Sequence, residues 1–158
     1  MHTGHWLMEE LPHWYPGRNV KRRLVMAGGH LRTIVNGDTI AGQFSLVGNS
    51  LIATSYDYFD GVSYWFYLID PAGKIIDNVS TPDYFGFMED VDTTKPDALS
   101  FGFFGTDDKW EIAVQPRGFW SFKFSELTPR INRFFWRKRY LSLKRTLPET
   151  YRALPPTT

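Results

Sequence analysis

The chain has 158 residues, 42% of them hydrophobic and 17% aromatic, with a net charge of +1; this globular composition excludes both a disordered chain and a uniformly basic one. One domain of that length buries roughly two thirds of its unfolded surface, so a single core suffices. The absence of cysteine excludes a disulfide scaffold, thiol catalysis and thiolate zinc sites, and suits a reducing compartment.

In chain order, Trp6, Leu7, Met8 and Leu11 stop at Pro12, which predicts a short helical turn over 6–11. So large an apolar load on a terminal segment predicts that 1–18 docks on the body. The opening residues carry no basic region followed by an apolar run. No stretch reaches the roughly 18 apolar residues of a membrane helix, so the expectation is a soluble, cytoplasmic protein without a membrane span. His2 and His5 lack a third ligand and predict no metal site.

A β body is expected over 19–125. The segments 31–35 and 39–44 flank Asn36-Gly37-Asp38 and predict a β-hairpin, because Asn-Gly supplies the positive φ angles of a tight turn. After Gly48-Asn49 a strand is expected over 51–56. The run 62–69 is apolar or aromatic at every position but Ser63 and is stopped by Asp70-Pro71-Ala72-Gly73. So short a run of β-branched and aromatic residues predicts a strand. Because both its faces are apolar, it should be central, covered by a second sheet on one side and a helix or another layer on the other. Further strands are expected over 74–79, 84–88, 99–104, 110–114 and 119–124, with Gln115-Pro116-Arg117-Gly118 as the last turn. The class is therefore mainly β, a β-rich α+β protein: an antiparallel meander of about seven to nine strands in a sandwich or barrel.

Thr128-Pro129 reads as an N-cap with proline at the first helical position, predicting a basic, aromatic helix over 126–147 packed on the β body, with a loose tail over 148–158. Its apolar residues fall on two stripes instead of one: Ile131, Phe134, Phe135 and Leu141, then Trp136, Tyr140, Leu143 and Leu147. A helix ending near Arg139, followed by a strand over 140–147, is the alternative.

Charge is segregated along the chain. Between Leu51 and Ile112 twelve acids stand against three bases, and between Arg117 and Arg145 nine bases stand against one acid. The blocks either pair with each other or serve as docking faces. A protein partner with a basic surface would select Asp83, Glu89, Asp90, Asp92 and Asp97. A nucleic acid would select the basic and aromatic Arg133, Trp136, Arg137, Lys138 and Arg139, with Arg137, Lys138 and Arg139 all pointing outward on the same face.

No nucleophile elbow, phosphate-binding glycine loop or helical zincin pattern is present, and the glycine spacing of Gly102-Phe103-Phe104-Gly105 is wrong for a dinucleotide fingerprint. Asp90-Val91-Asp92 begins like a calcium loop, but Lys95 stands where glycine is needed and Phe101 where glutamate is needed. No cofactor and no metal are expected. The first functional expectation is a non-catalytic protein-binding domain of the inhibitor, immunity-protein or adaptor kind. The second is a small barrel that binds or transforms an apolar small molecule in an aromatic-lined cavity, with Tyr56, Asp57, Tyr58, Tyr64 and Phe101 as its candidates. The third is nucleic-acid binding through the basic C-terminal segment.

Overall fold

A computed structural model describes residues 5–11, 20–29, 31–58, 61–81, 86–123 and 135–146. Among them are eleven strands and no helix: β1 (Trp6–Glu9), β2 (Lys21–Met26), β3 (Arg32–Asn36), β4 (Thr39–Leu46), β5 (Asn49–Tyr58), β6 (Gly61–Ile69), β7 (Ile75–Ser80), β8 (Met88–Asp92), β9 (Ala98–Phe103), β10 (Lys109–Lys123) and β11 (Phe135–Thr146). They form three antiparallel sheets: an N-terminal one of order β1-β2-β3, a central one of order β4-β5-β6-β7, and a C-terminal one of order β11-β10-β9-β8. The protein is mainly β and sandwich-like.

The central strand has the role its sequence demands. Alternate side chains of β6 point to opposite faces. Val62, Tyr64, Phe66 and Leu68 pack with Leu99, Phe101, Phe103, Ile112 and Leu141 of the C-terminal sheet. Tyr67 and Ile69 pack with Trp6, Leu24 and Val35 of the N-terminal sheet. β5 divides the same way, Leu51 and Ala53 facing one neighbour and Ile52 the other. Both covering layers are therefore sheets, and the middle one is buried on its two faces.

Five local expectations are corrected. Where the sequence predicts a helical turn over 6–11, residues 6–9 form a strand, because their backbone finds β2: Trp6 pairs with Met26 and Glu9 with Arg23. Trp6 is then fixed to β4 by the Gln43 amide, which accepts from Trp6 N at 2.8 Å and donates to Trp6 O at 2.8 Å.

Asn36-Gly37-Asp38 is no hairpin turn. β3 pairs with β2 and β4 with β5, so the tripeptide is the corner where the chain passes from one sheet to the next. Thr54 Oγ1 donates to Asn36 O at 2.7 Å, Asn36 N donates to the Tyr67 hydroxyl at 2.8 Å, and Asp38 N donates to Ser55 O at 3.0 Å. Gly37 sits at φ 97°, and a Cβ there would stand 2.9 Å from Ser55 O. The glycine is thus required for the corner.

Gln115-Pro116-Arg117-Gly118 is an enlarged bulge inside β10. Val114 pairs with Leu141 and Phe119 with Arg139, so four residues of β10 face one of β11. Proline, lacking an N–H, is tolerated at such a break in the ladder. The strand expected over 84–88 is displaced to β8, and residues 82–85 lie outside the described set.

The C-terminal helix is not formed over 135–146, which is β11, paired with β10 from Lys109↔Thr146 to Lys123↔Phe135. The alternation has period two there: Leu141 is buried and Leu143 packs beside it, with Ser142 between them. A strand's residues projected at helical spacing split into two stripes, which is the pattern the sequence displayed. Residues 126–134 and 147–158 lie outside the described residues.

Candidate functional site

The C-terminal sheet carries the acidic block at one edge and the basic block at the other. At the acidic edge, β8 presents Glu89, Asp90, Val91 and Asp92 to solvent. Glu89 pairs with Gly102 and Asp92 with Ser100, and a bulge lies between them. Asp90 occupies the left-handed region at φ 52°, which aspartate tolerates better than most residues. Its carboxylate lies 3.1 Å from Lys109 Nζ. Asp92 Oδ1 accepts from Thr94 N at 2.8 Å, and this hydrogen bond to its charged form holds the carboxyl below the usual carboxylate range. Asp97 stands apart, beyond a turn where Lys95 pairs with Glu111, whose hydrogen bond raises the lysine pKa. Asp83 lies outside the described residues.

Two phenylalanines complete this edge. Phe87 is 67% exposed and Phe104 65% exposed, and Phe104 N donates to Phe87 O at 2.9 Å, so the two residues are neighbours along the backbone. The signal for one was present in the sequence: neighbours in a strand face opposite ways, so Phe103 and Phe104 cannot both enter the core.

At the basic edge, the residues of β10 and β11 beyond the bulge form a two-stranded ribbon in which Phe119 pairs with Arg139 and Trp120 with Lys138. Trp120 is 65% exposed, and Lys138 Nζ lies 5.5 Å from the centre of the Tyr140 ring. Arg139 turns the other way. Its Nε lies 2.9 Å from Asp77 Oδ1, and its Nη2 donates to Asn78 O at 2.8 Å. Lys138 and Arg139 therefore do not share a face, as consecutive residues of a helix could have done. Arg137 pairs through its backbone with Ser121 and Trp136 with Phe122, while Arg133 lies outside the described residues.

Asp77, absent from the sequence expectations, organises this edge. It is fully buried, and its carboxylate also accepts from Asn78 N at 2.8 Å, Tyr140 N at 2.7 Å and Leu141 N at 2.9 Å. One side chain of β7 thus caps the open edge of β11 and joins the central and C-terminal sheets. A second acid, Asp108, pairs with Arg145, whose guanidinium lies 5.8 Å from the centre of the Trp110 ring. The opposed charge blocks meet in these two pairs. Lys138 remains exposed.

The residues expected to line an aromatic cavity are not brought together. Tyr64 and Phe101 belong to the core between the central and C-terminal sheets: Phe101 stacks on Phe66 at 5.2 Å, and the Tyr64 hydroxyl accepts from Met88 N at 2.9 Å. Burial raises the Tyr64 pKa, and burial does the same to Tyr67. Tyr56, Asp57 and Tyr58 lie at the end of β5. There the two tyrosines meet edge to face at 4.9 Å, the Tyr58 hydroxyl lies 2.9 Å from Ser63 Oγ, and Asp57 is exposed.

Among the described residues no group of three or more His, Cys, Asp or Glu could hold a metal ion, and no helix is long and apolar enough to cross a membrane. Comparison with protein-family models, with curated proteins and with solved structures gives no match.

Proposed function

We propose that this chain acts by protein recognition, with the β8 edge as its docking face and a partner that presents basic groups around an apolar patch. The observation that carries this reading is the exposed pair Phe87 and Phe104 set against Glu89, Asp90 and Asp92. Two exposed aromatic residues in a charged surround have the composition of an interface centre with its rim. The acids steer an oppositely charged partner toward the rings, and the rings hold it. The bulge and the carboxylates disfavour strand addition at this edge, so the partner is met by side chains and not by a shared sheet.

A photo-crosslinking residue at Phe104, introduced in cells that make the protein naturally, tests the proposal. The expected result is one prominent protein adduct that disappears when Glu89, Asp90 and Asp92 are all changed to lysine, with the variant still folded by circular dichroism. An adduct indifferent to that charge reversal would remove the β8 edge from consideration. A second reading, nucleic-acid binding, draws support from Trp120 opposite Lys138. It predicts that W120A together with K138E abolishes retention on single-stranded oligonucleotide, and unaltered retention would sink it.

A further inference from the structure

A cleft of about 550 Å3 opens between β7 and the β10–β11 ribbon, beside the Asp77–Arg139 pair. Small-molecule sites occupy about 300–1,000 Å3, so the space suits a ligand of one or two rings. We infer that this cleft binds a neutral saccharide. The site is separate from the β8 edge, at the opposite margin of the C-terminal sheet.

Electrostatics decides against an anion. Among the described residues, Arg139 is the one ionised side chain lining the cleft, and its charge is matched by the fully buried Asp77 carboxylate. An incoming phosphate or carboxylate would meet an ion pair with no net charge and would lose its hydration for little return. The other polar groups are the hydroxyls of Ser80, Ser121 and Ser142 and the Asn78 amide. Each of these donates and accepts, which complements ligand hydroxyls that do the same. Ser142 Oγ makes only a long contact of 3.4 Å to Ala113 O, which a ligand hydroxyl can replace. Phe119 supplies an aromatic wall, 37% exposed, and the negative face of its ring suits the polarised C–H face of a pyranose. Arg139 adds fixed guanidinium donors, held in place by Asp77 and Asn78 O before any ligand arrives.

The intact protein is applied to a glycan array carrying neutral and uronate-bearing oligosaccharides, and the sugar retained is titrated by NMR. Binding of a neutral glycan is expected, weakened at least tenfold by Phe119→Ala and abolished by Ser80→Trp, which fills the cleft from an exposed position. Ser80→Trp needs no rearrangement of the core, and the triple lysine variant at β8 should bind the sugar as the parent does. Retention of no neutral glycan, retention of acidic glycans alone, or binding unchanged in both cleft variants would each overturn the assignment.

Discussion

β8 and β11 both lie at an edge of the C-terminal sheet, and each must deal with a row of unpaired backbone groups. β8 does so in water, with a bulge, a left-handed Asp90 and three exposed carboxylates. β11 does so in the interior, where Asp77 takes two consecutive backbone N–H groups and the Arg139 guanidinium. The contrast teaches that a charge's position decides its task. The same residue type that lies in water along β8 serves at β7 as the bolt between two sheets.

The comparison can be broken most severely at Asp77. Asp77→Ala strands a partly buried guanidinium and three backbone N–H groups, and is expected to cost about 3–5 kcal/mol in denaturant unfolding. Arg139→Met leaves the carboxylate its backbone donors, and should cost about 1.5–3 kcal/mol in the same measurement. Arg145→Ala removes a half-exposed pair and a ring contact, for a loss of about 1 kcal/mol. At β8, Lys109→Ala should stay within about 0.5 kcal/mol of the parent because its charge is solvated, and the triple lysine variant should lose about 1 kcal/mol for placing lysine in the left-handed backbone of Asp90. A loss at β8 as large as that at Asp77 would end the distinction between the two edges.

Titration sharpens it further. Burial raises the phenol pKa values of Tyr64 and Tyr67, so their contribution is complete below the unfolded value of about 10 and is lost as pH rises through the folded values. Alkaline unfolding should therefore begin near that pH, with a shallower decline in Tyr67→Phe, followed by circular dichroism. Asp92 has the opposite sign. Its lowered pKa contributes above the unfolded value of about 3.9 and is lost as pH falls through the folded one. Because that carboxylate is exposed, Asp92→Asn should change the acid transition least of all.

What was legible in the sequence follows from the range of the interactions involved. The apolar run of β6 records its own two-sided burial, since every residue states which environment it needs. Asn36-Gly37 records a chain reversal but not its partner. Whether the flanking strands pair depends on Thr54, Ser55 and Tyr67, which hold the corner from β5 and β6. The 135–146 segment was read with the wrong period, because Thr128-Pro129 imposed a helical frame on residues whose alternation is that of a strand. Within the candidate edges, Glu89, Asp90 and Asp92 fall together because one strand carries them. Phe104 was inferable from alternation beside Phe103. Asp77 was not, since nothing local distinguishes it from other acids and its donors on β11 lie 62 to 64 positions away.

That separation has a consequence during synthesis. β7 leaves the ribosome more than sixty residues before the strand that will engage Asp77. At about 5–20 residues per second, the nascent chain carries an unsealed β7 edge and an unmatched carboxylate for several seconds. Asp77 is withdrawn from water, and its backbone donors on β11 reached, only when β11 closes over it.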